Sequence, residues 1–256
     1  MNRLSAIKKI RNKLLNSNSS FSIGSWMQLS DASIAEIMGQ SNYDWVAIDL
    51  EHGSIDISQL PDIFRALELG ETLPLVRLAE GHPKDCKQAL DAGAGGVIVP
   101  MVEDAGQLKL IKDFCRWPPS GRRGVGFSRA NLFGKFFEDY SDEAQQPLLV
   151  AMIESLNAVK SLEAILQVDG LDAILIGPYD LSASMNLTAN FSDPKFINTI
   201  NKIRVLCDKY SVACGMHIVN PKQDDLRKRI DEGYKFIAYS IDAVFLSEAC
   251  ENPIKS

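Results

Sequence analysis

Two apolar runs that each stop at an acid constrain this chain most. Residues 148–153 (LLVAMI) end at Glu154, and residues 171–176 (LDAILI) end, after Gly177-Pro178-Tyr179, at Asp180. Continuous runs of Val, Ile and Leu suit parallel strands covered on both faces. Between them, residues 157–167 put Val159, Leu162, Ile165 and Leu166 on one side of a helix. Strand, helix, strand is a βαβ unit with parallel strands, so Glu154 and Asp180 leave neighbouring strands on the same side of the sheet. Two carboxylates there can hold a divalent cation whose other positions go to water and substrate oxygens. A second reading makes both acids loop residues or caps, with Asp180 an N-cap before Leu181-Ser182. Their equivalent placement at two strand ends favours the metal.

The same rhythm extends along the chain. Strand-like segments fall near 22–28, 45–49, 74–78, 96–100, 148–153, 172–176, 213–218 and 236–240, with helical segments near 31–40, 58–69, 83–92, 104–115, 156–167, 196–210, 221–232 and 242–250. About eight βα units is the count of a (β/α)8 TIM barrel, and 256 residues with 46% hydrophobic content fit one such domain over 1–256. Residues 1–15 are basic and amphipathic, with Leu4, Ile7, Ile10 and Leu14 on one face. They read either as a membrane-surface helix or, better, as a helix on the barrel bottom. One stretch, 116–147, breaks the rhythm; a loop that long is usually functional or an interface. The net charge of −6 argues against a nucleic-acid surface, five cysteines without CxxC spacing suggest a reducing cytoplasm, and no run is long enough to span a membrane.

Active sites of such barrels lie at the C-terminal ends of the strands. There the sequence puts Asp49, Glu51 and His52 (AIDLEHG), Arg77 (LVRL), Glu154 and Asp180. An arginine buried at a strand end is costly unless it meets an anion. Of the three histidines, His82 reads as a loop residue and His217 as a core histidine in strand seven. His52 reads either as a general base or as a satisfied loop histidine. No lysine stands at a strand's C-terminal end, which disfavours a Schiff-base mechanism. The segment 121–129 (GRRGVGFSR) is either a weak anion-binding loop or a turn.

Taken together and in order, GSWMQLSD, YDWVAIDLEHG, LVRL, LDAGAGGVIVPMVED, WPPSGRRGVG, MIES and GPYDLSAS resemble the HpcH/HpaI aldolases over nearly the whole length. The resemblance implies a metal-dependent enzyme that cleaves or forms 2-keto-4-hydroxy acids using pyruvate. It implies Glu154 and Asp180 as the metal-binding carboxylates, whose hard oxygens suit Mg²⁺ or Mn²⁺, or Co²⁺, and His52 as base oriented by Asp91. It further implies Arg77 on the keto or enolate oxygen, with Trp26 and Asp49 lining the pocket. Met152 stands where many members carry Gln, and Tyr179 where many carry a small residue; both changes bear on which aldehyde or keto acid is taken. The resemblance also implies a homo-oligomer, a hexamer above all, with the last helix exchanged between subunits. The competing functions are a citrate-lyase-like C–C lyase acting on an acyl-CoA thioester and a non-catalytic keto-acid-binding barrel.

Overall fold

Helices and strands alternate along the chain in the order the spacing predicts. In the computed structural model, which describes residues 1–16, 20–252 and 254, α1 (Arg3–Leu15) leads to β1 (Ser22–Met27), α2 (Ala32–Gly39), β2 (Trp45–Asp49) and α3 (Leu60–Leu69). Then come β3 (Leu73–Arg77), α4 (Pro83–Ala92), β4 (Gly96–Val99), α5 (Ala105–Cys115), α6 (Phe137–Ala144) and β5 (Leu148–Ile153). The chain continues through α7 (Leu156–Leu166), β6 (Ala173–Ile176), α8 (Pro178–Ser184), α9 (Pro194–Tyr210) and β7 (Ala213–Ile218). It closes with α10 (Gln223–Asp231), β8 (Phe236–Ile241) and α11 (Asp242–Ala249). The eight strands pair in sequence order, all parallel, and β8 returns to β1: a closed (β/α)8 barrel.

Successive strand residues point to opposite faces, so alternate positions fill the barrel. Trp26, Trp45, Ala47, Leu73, Leu75, Ile98, Val150, Met152, Leu175, Phe236 and Ala238 form that interior. The outward residues join the helices in the larger core, for example Val46 and Ile48 against Phe64 and Leu67. At the strands' N-terminal end Trp45 stacks on Phe236 at 4.3 Å, and the indole fills the space a side chain at Gly24 would need.

The first helix settles its two readings. Ile7, Ile10 and Leu14 are buried in the interior cluster, and the basic face pairs with acids of the bottom rim: Arg3 with Glu143 at 2.7 Å, Arg11 with Asp172 at 2.6 Å and Lys13 with Asp44 at 2.6 Å. It is a plug, not a membrane-surface helix. With the bottom closed, the mouth lies at the other end. Among the described residues, no helix is long and apolar enough to cross a membrane. Of the Asn-Ser run that precedes the first strand, residues 17–19 lie outside the described residues.

Two helices depart from the expected rhythm. The excursion 116–147 contains α6, whose Tyr140 and Ala144 pack with Trp117 and Ala130 in a core of their own. After β6 the Gly177-Pro178-Tyr179 stretch starts α8, with proline in the first turn, where its missing N–H costs nothing.

Candidate active site

The inward register of the strands delivers the polar residues of the mouth. Two positions beyond Ala47 comes Asp49, beyond Leu75 comes Arg77, and beyond Met152 comes Glu154. Asp49 is fully buried and accepts five hydrogen bonds. Arg77 Nε donates to Oδ1 at 2.8 Å and Arg77 Nη2 donates to Oδ2. Gln28 Nε2 donates at 2.8 Å, and the N–H groups of Glu51 and His52 donate at 3.0 and 3.2 Å. Burial pushes the Asp49 carboxyl up, but the hydrogen bonds and charge of Arg77, with Gln28, hold it at about 2. One ionised carboxylate thus fixes both the guanidinium and the turn that carries Glu51 and His52.

Glu51 adds a second acid. Its Oε2 lies 2.9 Å from Arg77 Nη1, close enough for charge attraction but off the N–H direction, so that buried oxygen has no hydrogen-bond donor. Glu154, only 3% exposed, accepts the Met101 N–H on Oε2 at 2.8 Å; Met101 adopts a left-handed backbone (φ 49°) in doing so. Its Oε1 lies 2.5 Å from where a Cβ on residue 177 would sit, so a side chain there would displace the carboxylate. Burial drives the Glu154 carboxyl up to about 7; the Met101 N–H and Arg77 oppose this, and Glu51 and Asp180 reinforce it.

Asp180 is exposed in the first turn of α8, whose N-cap is Gly177. Among the described residues its carboxylate accepts no hydrogen bond, so it is not the N-cap the alternative reading requires. Glu51, Glu154 and Asp180 thus lie within charge range of one another, and the Arg77 guanidinium that opposes the first two is already shared with Asp49. That imbalance, with an orphaned Glu51 oxygen, suits a hard divalent cation. No three His, Cys, Asp or Glu side chains among the described residues form a ready cage, so a cation here would need water or substrate oxygens to complete its shell.

The remaining expected residues are dispersed. His52 is exposed on the turn after β2, and its ring has no hydrogen-bond partner among the described residues. Trp26 is 1% exposed, lying under Arg77 (5.2 Å) and stacked on His217 (4.9 Å); it supports the mouth from beneath. Met152, 3% exposed, is a floor residue one layer below Glu154. Tyr179 is half-exposed and packs edge-on against Phe191 at 5.1 Å. Asp91 is not brought to His52. It sits in the last turn of α4, which runs back from the end of β3 to the start of β4, so within one chain it is at the opposite end of the barrel, near Arg123 and Lys87.

In the 121–129 segment two of the three arginines turn toward the protein, although Arg123 Nε and Nη1 stay without a hydrogen-bond partner among the described residues. Arg123 is buried and donates to the Tyr140 hydroxyl at 2.9 Å, while Arg129 donates to Glu68 and to the Ala92 carbonyl, both at 2.8 Å. Lys235 reaches the Asn16 carbonyl at the bottom, away from the mouth. Glu51, Gln28, the Met101 N–H and Gly177 complete the site without having been singled out by role. The clue for Glu51 was its place between Asp49 and His52; that for Gly177 was a glycine directly after a buried strand.

The profile of the HpcH/HpaI aldolase/citrate lyase family matches residues 22–249. The chain belongs to this family. A hydroxypyruvate/pyruvate aldolase of Roseobacter denitrificans is 36% identical over 226 residues, 87% of each chain. A 2-keto-3-deoxy-L-rhamnonate aldolase of Salmonella gallinarum is 34% identical over 233 residues, covering 90% of this chain and 86% of its own. The solved structure of an HpcH/HpaI aldolase/citrate lyase family protein from Burkholderia cenocepacia superposes with a TM-score of 0.87 at 28% identity, covering 94% of this chain and 95% of the other. This HpcH/HpaI member is a carbon–carbon lyase of the aldolase type, and the non-catalytic reading falls away.

Proposed function

We infer that the chain reversibly cleaves a 2-keto-4-hydroxy acid into pyruvate, or a related 2-keto acid, and an aldehyde. The observation that carries this reading is the meeting of Glu154 and Asp180 with the Asp49-clamped Arg77 at one mouth. Glu154 and Asp180 would hold a divalent cation, Mg²⁺, Mn²⁺ or Co²⁺, which when bound supplies electrostatic stabilisation of enolate charge. Arg77, oriented by Asp49, donates hydrogen bonds to the keto oxygen as it becomes an enolate oxygen. His52 takes the proton of the C4 hydroxyl, the C3–C4 bond breaks, the aldehyde leaves, and the enolate carbon takes a proton to give pyruvate. The absence of a lysine at the strand ends supports enolate over Schiff-base chemistry. Exhaustive chelation should abolish cleavage and Mg²⁺, Mn²⁺ or Co²⁺ should restore it; full activity in chelator would overturn the metal assignment.

The family's shared description leaves a citrate-lyase-like reaction on an acyl-CoA thioester as the second reading. The DLEHG turn, with His52 presented on the Asp49 anchor, favours the aldolase. Asp91 can orient His52 only if a second copy supplies it, so the reading includes a homo-oligomer, in the family's hexameric form, with α11 exchanged between neighbours. Five free cysteines, four of them buried, fit a reducing cytoplasm.

A further inference from the structure

His217 faces the mouth, where the mechanism gives it no task. On β7 the inward positions are Ala213, Gly215 and then residue 217, and the Gly215 site lacks room for a Cβ. The imidazole stacks on Trp26 with centroids 4.9 Å apart and 28° between planes. Since Trp26 itself is almost wholly covered, the half-buried His217 ring is the surface this wall offers. The same ring borders a cavity of about 580 Å³ that runs outward between α9 and α10 past Tyr179, Ser192 and Asn220. A substrate held by Glu154, Asp180 and Arg77 on β3, β5 and β6 has this β7–β1 sector left for its aldehyde portion.

The tautomer follows from one contact. His217 Nε2 lies 3.3 Å from the Ser240 carbonyl. A carbonyl only accepts, so Nε2 carries the hydrogen and Nδ1 is left as a lone-pair acceptor. Nδ1 has no hydrogen-bond partner among the described residues, nor is it one of the buried orphan atoms. The carbonyl is delivered by an unusual backbone. Ser240 has φ +57° inside β8, where the β1–β8 register shifts between Gly24 and Trp26, and its hydroxyl donates to the Val219 carbonyl at 2.9 Å. A non-glycine residue in the left-handed region, at a bulge on a barrel rim, is the kind of strain that persists where a side chain must be aimed. Burial also pushes the imidazole down to about 4, so it is neutral in the physiological range.

We propose that His217 is a specificity-determining residue, an oriented acceptor that selects aldehydes carrying a hydroxyl next to the carbonyl. The substrate class is then a 2-keto-4-hydroxy acid hydroxylated again at C5, the product of condensing a 2-keto acid with an α-hydroxyaldehyde. This deepens the aldolase reading and rests on it. A hydrocarbon side chain at the same place would leave such a hydroxyl unpaired; the imidazole pairs it.

The test is condensation with pyruvate and Mg²⁺, using glycolaldehyde against acetaldehyde. The ratio of their kcat/KM values is taken within each variant, so incomplete folding divides out. The wild-type ratio should fall about 5- to 10-fold in His217→Leu, mainly through KM for glycolaldehyde, as for loss of one hydrogen bond. His217→Gln, whose amide oxygen still accepts, should recover most of it. A ratio within twofold of wild type in His217→Leu, or equal loss in the Leu and Gln variants, would overturn the proposal. Wild-type exchange of pyruvate methyl protons with deuterated solvent, which needs no aldehyde, tests the underlying reading separately. Exchange with an unmoved ratio sinks only the role of His217; no exchange sinks the aldolase assignment itself.

Discussion

At residue scale the site depends on Asp49, an acid that never touches the reacting bond. Its folded pKa of about 2 lies below the usual carboxylate value, so the unfolded chain binds more protons between those two pH values. The sign follows: Asp49 contributes stability above about pH 4, roughly 2–3 kcal/mol, and loses it as pH falls to about 2. In urea melts, the stability gap between wild type and Asp49→Asn should therefore be full at pH 7 and shrink across that window. A gap that is flat down to pH 2 would remove the linkage. The same substitution strands Arg77, which is 7% exposed, so kcat should fall too. His52 is the opposite case, exposed and unpartnered in the chain. His52→Ala should lower kcat about 10²- to 10⁴-fold, the usual range for a lost general base, while isothermal titration finds the metal affinity nearly unchanged. Unaltered cleavage would take histidine out of the mechanism.

The next scale is the element, where the β6–α8 turn couples backbone shape to the proposed cation site. Gly177 has φ −90°, a value any residue adopts, so its substitution is resisted by space alone. In Gly177→Ala the new Cβ would sit 2.5 Å from Glu154 Oε1. The carboxylate must shift from its present position, and metal affinity measured by titration should fall at least about tenfold, with roughly 1–3 kcal/mol lost from overpacking. If alanine binds the cation as tightly as glycine, the carboxylate is not held by this contact. Why this turn was only half legible is physical. The apolar runs 148–153 and 171–176 announced β5 and β6, and period-two alternation put Glu154 at an inward end. Pro178 marks equally a turn or a first helical residue, so α8 and the placement of Asp180 inside it needed the structure. For His217 alternation gives the inward direction and the expected hydrogen-bonded ring, whose Nε2 meets the Ser240 carbonyl; the bulge that delivers this carbonyl left no mark in the sequence. The α6 segment, FEDYSDEA, lacks a strong apolar stripe because it packs on a satellite core of Trp117, Ala130 and Tyr140.

At the scale of the whole molecule, topology separates two residues that the family pattern couples. In a (β/α)8 barrel every helix returns to the bottom, so Asp91, at the end of α4, cannot meet His52, beyond the end of β2. The sequence order of the two motifs carried no warning, because it says nothing of which subunit supplies each. The surface around Asp91 is suited to a second copy. Arg129 ties the excursion to the Ala92 carbonyl, and Phe127, Phe133 and Phe136 of that excursion are 74%, 67% and 47% exposed. Apolar groups so grouped mark an interaction face. If a neighbour's mouth meets this face, Asp91 of one copy orients His52 of the next, and every complete site is shared. The expected outcome is complementation. Asp91→Asn alone should lower kcat mildly and His52→Ala severely. After subunits of the two variants are mixed and allowed to exchange, about a quarter of the sites pair an intact His52 with an intact Asp91 from a neighbour. The mixture's specific activity should then rise above the mean of the two variants, and light scattering should find an oligomer throughout. Activity that stays at the mean while subunits demonstrably exchange, or a protein that is monomeric at micromolar concentration and fully active, would leave Asp91 as a bottom-rim residue paired in charge with Arg123, and His52 oriented by its own turn alone.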